Sequence, residues 1–372
     1  MNEQKTLSRE QTNSFRKRNL ILTIVSLALL LAVLINVESW FGSYIARILK
    51  TGAIYAICVL SLNLINGCTG ILSLGNPGFM AIGAYVSVIL YMDPDVKQAV
   101  FYMEPMVPAL QAIQLPFLVA VICGGLVAAI SALFIGFPVL RLKGDYLSIA
   151  TLGFSEIIRI IIINIPSVTN GAIGINRIPN HVSMMTAFGI LAVITVFLLL
   201  LMRSTYGRAL LSIREDQTAA EAMGINLTKH KMYAFVISAF LAGVSGALLA
   251  SITGAIDPTT FKYTFVYQFL LMMVLGGQGS ISGSIVGAML ITAALEWLRF
   301  MDEPINFGFF QYPGYPGMRM VLFAIILIVI VLFWNRGIFG DREFSWNRLF
   351  KNIGNLKARF TARFAKKEGG SL

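Results

Sequence analysis

The sequence predicts an all-α fold, a polytopic transmembrane helical bundle, and three observations carry that prediction. Of 372 residues 57% are apolar and only 13% charged, and mean hydropathy is +0.76. Uninterrupted apolar runs of about 20 residues, the length that crosses a bilayer as a helix, recur from end to end. These runs lack the dyad alternation of a barrel strand, and in lipid a helix is then the structure that satisfies every backbone group internally. A soluble chain of this length could bury a large core, but its surface would need far more charge.

About ten spans follow in order. A basic tail over 1–19 carries Lys5, Arg9, Arg16, Lys17 and Arg18. The run Leu20 to Val37 after it reads as a retained first helix, because no small-x-small cleavage site follows Val37. Ala46 to Ile65, Leu74 to Met92, Pro116 to Pro138, Tyr146 to Asn164 and Thr186 to Met202 come next. A polar stretch over 203–231 separates these from Met232 to Thr253. Thr264 to Leu275 is short and ends in Gly276, Gly277 and Gly279, the pattern of a tilted, broken or re-entrant element. Ile281 to Leu298 and Met318 to Trp334 complete a membrane domain over 20–334, and 335–372 is a second basic tail.

Charge sets the orientation, since Lys and Arg are retained in cytoplasmic segments. Most of the 29 basic residues lie in the two tails, at Arg141 and Lys143, and within 203–231. All of these fall on one side when the count is ten and both termini are cytoplasmic. The net charge of +11 is thus an orientation signal of a chain in a lipid bilayer, and no nucleic-acid partner is expected.

No catalytic constellation is visible, so an enzyme is not expected. Cys58, Cys68 and Cys123 sit in or beside apolar runs without paired spacing and read as packing residues. His181 and His230 are too few for a metal centre, and neither a metal nor a cofactor is expected. Charged residues inside spans are few: Glu156 with Arg159, and Glu296 with Arg299. Each pair is spaced i, i+3 and can close on one helix face, which neutralises charge that is costly in hydrocarbon. A structural ion pair is the bland reading, with Glu156 the better functional candidate because it sits deeper.

Two glycine-rich segments stand out. NGCTGILSLGNPGFMAIGAY, from Asn66 to Tyr85, includes Ser73, Gly75, Asn76, Pro77, Gly78 and Phe79; LGGQGSISGSIVGA, from Leu275 to Ala288, includes Gly276, Gly277, Gly279 and Ser280. Small residues let backbones approach closely and expose unwound backbone where a pathway is lined, so these ten residues are the candidate pathway. Close helix packing explains either segment equally well. Their positions in opposite halves hint at an inverted internal repeat. Between them, Leu210 to Met223 has the spacing of one short amphipathic helix. Leu210, Leu211, Ile213, Ala220 and Met223 oppose Arg214, Glu215, Asp216, Gln217 and Glu221, and Gly224 ends the helix as a C-terminal cap. Both charge signs on the polar face favour a partner-docking helix over a membrane-surface helix.

The chain resembles the permease subunits of branched-chain amino-acid ABC importers. The resemblance runs from about Gly52 to Gly340. It rests on an ordered series of blocks: GILSLGNPGFMAIGAY, RLKGDYLSIATLGFSEIIRI, TNGAIGI, YGRALLSIREDQTAAEAMGIN, SAFLAGVSGAL, MVLGGQGSISGSIVGA and IVLFWNRGIFG. It implies a multi-pass protein of a bacterial or archaeal inner membrane that pairs with a second permease subunit, two ATP-binding subunits and an external solute-binding protein. AAEAMG resembles the loop by which such permeases engage their ATPases. That makes 203–231 a coupling loop, with Arg208, Arg214, Glu215, Ala220, Glu221 and Gly224 as its candidate residues. The chain has no GxxxxGK[ST] phosphate loop, so ATP would be bound by the partners. The implied cargo is leucine, isoleucine or valine, with urea or short amides as the alternative; a secondary transporter or channel would explain the spans but not the loop. An outer loop from Asp93 to Leu115 and the tail beyond Asp341 depart from the family pattern.

Overall fold

A computed structural model of the chain describes residues 39–340 apart from 41, 143, 303–304, 307–310, 313–316, 334–336 and 339. The chain divides into two units, residues 43–342 and residues 1–42 with 343–372. The second unit lies almost wholly outside the described residues, and with it the predicted span Leu20 to Val37 and most of both basic tails.

In the larger unit a helix stands at each predicted span. α1 spans Gly42–Gly67 and closes in a π-helical turn, Asn63–Gly67. It is followed by α2 (Asn76–Tyr91), the short α3 (Pro94–Val100), α4 (Phe117–Val139), α5 (Asp145–Ile163) and α6 (Met184–Arg203). After α6 come α7 (Thr205–Glu215), α8 (Gln217–Ala222), α9 (Leu227–Thr253), α10 (Thr264–Gly276), α11 (Ile281–Trp297) and α12 (Met318–Phe333). Helices α1, α4, α5, α6 and α9 are long and apolar enough to cross a membrane. At 16, 13 and 17 residues, α2, α10 and α11 are shorter. Besides helices the described residues hold one antiparallel pairing, Ile305–Asn306 against Gln311–Tyr312, and a lone bridge between Ile175 and Ile256.

Helix starts are written in the sequence. Ser183 Oγ accepts from Thr186 N at 3.1 Å, Asn226 Oδ1 from Lys229 N at 3.0 Å and Ser280 Oγ from Gly283 N at 3.1 Å, which opens α6, α9 and α11. Pro77 sits in the first turn of α2, where its missing N–H costs nothing.

Helices α2, α4 and α9 pack mutually to form the centre. In α9 83% of the most apolar window is buried, against 22% in α6, which places α9 inside and α6 at the edge. The central crossings are made by backbone. A methyl added at Gly83 would fall on the backbone of Gly243, one at Gly246 on that of Met80, and one at Gly124 would lie 2.6 Å from Gly83 O. In lipid there is little hydrophobic drive to join helices, so this close approach is what gives them dispersion contact. At the rim, Phe134, Val193 and Leu200 stand exposed, an apolar surface suited to lipid and not to water. The chain is a multi-pass membrane protein.

Candidate coupling loop and glycine junction

The polar stretch after α6 folds as two helices instead of the single one predicted from Leu210 to Met223. The break is Asp216, whose backbone is extended (φ −154°, ψ 115°). Its carboxylate accepts from Thr218 N at 2.8 Å and Ala219 N at 3.0 Å, so it caps α8 where an interior position in one long helix would waste it. Ser204 caps α7 in the same way through Gly207 N. Gly224 stands at φ +84° as expected, and the closure is a full Schellman motif: Ile225 N donates to Ala220 O at 3.1 Å and Gly224 N to Glu221 O at 2.9 Å.

Leu210, Ile213 and Ala220 are buried and seat the two helices, while Arg208, Glu215, Glu221 and Gly224 face outward. Met223, predicted on the apolar face, is 83% exposed: α8 ends at Ala222, and Met223 is its C-cap beside the Gly224 turn. Lys231 Nζ reaches back to Gln217 Oε1 at 2.9 Å and ties α8 to α9, which already begins at Leu227. An apolar cleft of about 260 Å3, lined by Leu201, Tyr206, Leu210, His230, Tyr233 and Ile237, lies between the start of α7 and α9, where the Tyr206 ring meets those of His230 and Tyr233 at 5.8 and 6.0 Å.

The candidate pathway residues are packed against protein in the single chain. Ser73, Gly75, Asn76, Pro77, Gly78, Phe79, Gly276, Gly277 and Ser280 are buried, and Gly279 is half-buried. Between α1 and α2 the chain is unwound and held by side chains. Asn66 Oδ1 accepts from Ser73 N at 3.0 Å, Thr151 Oγ1 from Leu74 N at 3.0 Å, and Ser148 Oγ donates to Leu72 O at 2.7 Å. Asn76 Nδ2 donates to Ser61 Oγ at 3.0 Å, and Ser61 Oγ to Ser238 O at 2.8 Å, a polar chain joining α1, α2 and α9.

The two glycine segments meet. Asn63 Oδ1 accepts from Gly279 N at 2.7 Å and Asn63 Nδ2 donates to Ser280 O at 3.2 Å. Arg214 Nη1 donates to Gly67 O at 2.9 Å, so the polar loop also reaches this junction. Ile338 N donates to Leu275 O at 2.8 Å, which sets Ile338 against the end of α10. Asn63 and Ser61 lie outside the predicted site; their sequence signal is a polar side chain inside the Ala46 to Ile65 span.

Arg159 Nε binds Glu156 Oε2 at 2.8 Å as the spacing predicts, and Glu156 Oε1 also accepts from Tyr263 N at 3.1 Å. Arg299 likewise binds Glu296 at 3.2 Å. In the loop from Asp93 to Leu115 Lys97 is fully buried, its Nζ donating to Leu110 O at 3.1 Å and Ile113 O at 2.5 Å. Burial pushes its pKa below the ordinary value, and Asp93 pulls partly the other way.

Residues 44–332 match the family described as branched-chain amino acid transport system, permease component. The high-affinity branched-chain amino acid transport system permease protein LivM of Salmonella typhimurium is 34% identical over 284 residues, which cover 67% of this chain and 62% of that relative. The probable LivM permease of Methanocaldococcus jannaschii is 23% identical over 346 residues, 85% of this chain and 99% of the relative. The xylose transport system permease protein XylH of Escherichia coli is 26% identical over 133 residues, 34% of this chain and 31% of the relative. No solved structure matches the chain.

Proposed function

Because the chain belongs to the family of permease components of branched-chain amino acid transport systems, we propose that it is one of two membrane subunits of an ATP-driven importer. It pairs with a related permease and spans the inner membrane about ten times, with both termini cytoplasmic and its two glycine-rich segments in halves related by an inverted repeat. An external binding protein delivers the solute, and two ATP-binding subunits drive the exchange between outward and inward states by binding those states differently. The observation that carries this reading is the α7–α8 element. It is a pair of short, capped helices with both charge signs, seated on the bundle by Leu210, Ile213 and Ala220. Arg208, Glu215, Glu221, Gly224 and the exposed Met223 are the face offered to the ATPase, while Arg214 and Ala220 hold the loop from behind.

The cargo is leucine, isoleucine or valine. The residues from Ser73 to Phe79 and Gly276 to Ser282 carry hydroxyls, amides, glycine backbone and apolar side chains and no charged side chain of their own, and the neighbouring Arg214 guanidinium is taken up by Gly67 O. Such a lining suits a small zwitterion whose carboxylate and amine face backbone dipoles. The test is reconstitution of the permease pair with its ATPases and the binding protein encoded beside it, followed by uptake of labelled leucine and labelled urea. Leucine uptake is expected, and uptake of urea without leucine would overturn the assignment.

A further inference from the structure

We infer that Arg214 is a positioning residue, a strut that fastens the loop helices to the junction of the two glycine-rich segments. The inference rests on the reading of α7–α8 as the ATPase-coupling element and gives it a route into the bundle. Three contacts define the strut. At its base, a methyl on Gly70 would lie 3.3 Å from Arg214 Cα, so α7 rides directly on the unwound stretch that follows α1. At its tip, Nη1 donates to Gly67 O at 2.9 Å, on the last residue of the π-helical turn. The same Nη1 would be 2.5 Å from a methyl at Gly279, which stands at φ +84° in the turn between α10 and α11.

The chemistry suits arginine. The end of α1 presents carbonyls without intrahelical donors and carries the negative end of the helix dipole, and a guanidinium is a permanent cation with donors spread over a rigid plane. Asn63 completes the link: it sits on the same π-turn and holds both Gly279 N and Ser280 O, and Ser280 caps α11. Displacing α7 therefore displaces the end of α1 and the α10–α11 turn together. π-turns occur frequently at functional sites, and Asn63–Gly67 carries both Asn63 and Gly67, so it is where a displacement of α7 enters α1.

The experiment compares wild type, Arg214→Ala, Arg214→Lys, Asn63→Ala and the Arg214→Ala/Asn63→Ala double variant. Each is reconstituted with its partners, and labelled leucine uptake per ATP hydrolysed is read beside ATPase copurification. Arg214→Ala is expected to copurify with the ATPases yet lower uptake per ATP by about tenfold, the size of losing a hydrogen bond from a charged donor. Arg214→Lys should recover part of that loss. The double variant should lose little more than the worse single one, because both act through one junction. Independent, multiplying losses, or loss of ATPase binding in Arg214→Ala, would overturn the strut. A second readout needs no ATPase: amide exchange over 276–284 in the purified chain should quicken in Arg214→Ala, partly recover in Arg214→Lys, and stay at the wild-type rate if the strut is wrong. A wild-type chain that binds no ATPase while Arg214→Ala still loosens 276–284 would instead sink the coupling reading alone.

Discussion

Gly224 shows how one backbone angle sets the loop. At φ +84° a residue with a Cβ is strained, yet a methyl there would meet nothing within 4 Å, so the penalty is one of backbone and not of packing. Gly224→Val should cost about 1–2 kcal/mol of local stability and misplace α8, lowering transport-linked ATP hydrolysis while membrane insertion is kept. Normal coupling in that variant would remove the turn from the contact. Glu156 and Arg159 give a second test. Glu156 holds both Arg159 and the amide of Tyr263, so removing it strands a cation and a donor, whereas removing Arg159 leaves Glu156 one partner. Glu156→Leu should therefore lower expression more than Arg159→Leu, and the double change should be tolerated better than Glu156→Leu. A double variant that folds but does not transport would assign the pair a role in the transport cycle.

At the scale of elements, the Asp93 to Leu115 loop has a built-in pH dependence. Lys97 is more easily protonated in the unfolded chain than in the fold, so the unfolded state binds more protons in the window below 10.5 and stability rises with pH there. The neutral amine keeps two N–H donors for the carbonyls of Leu110 and Ile113, so the loop need not open as the proton leaves. The thermal unfolding midpoint should climb with pH across that window, and Lys97→Met should flatten the climb; a fall with pH in the wild type would reverse the assignment. Elements were legible to different degrees. The apolar run Pro116 to Pro138 became Phe117–Val139, because hydropathy marks where a helix meets lipid. The start of α9 lies inside the polar stretch 203–231: Leu227 to Lys231 is polar, and hydropathy marks only the apolar part of a helix. Asp216 fits a polar face because the spacing of α7 and α8 suits one helix, and only the cap geometry separates them.

For the whole molecule, the distribution of basic residues predicts that both termini are cytoplasmic and that Asp93 to Met106 and Asn170 to Asn180 face outward. Cysteines placed in those outer stretches should react with an impermeant reagent in intact cells, and labelling of a cysteine at 367 would invert the topology. The least legible feature was the joining of the glycine segments through Asn63 and Gly279, 216 positions apart. No local pattern encodes a contact over that separation; composition announced two unusual segments and left their meeting to the fold. The central crossings carry a mechanical consequence. Where Gly83 meets Gly243 and Gly246 meets Met80, main chain bears on main chain with no layer of rotatable side chains between to yield. Helices locked in this way resist shear, so α2, α4 and α9 make a rigid block, and any relative movement in the bundle falls between that block and the helices less interlocked with it.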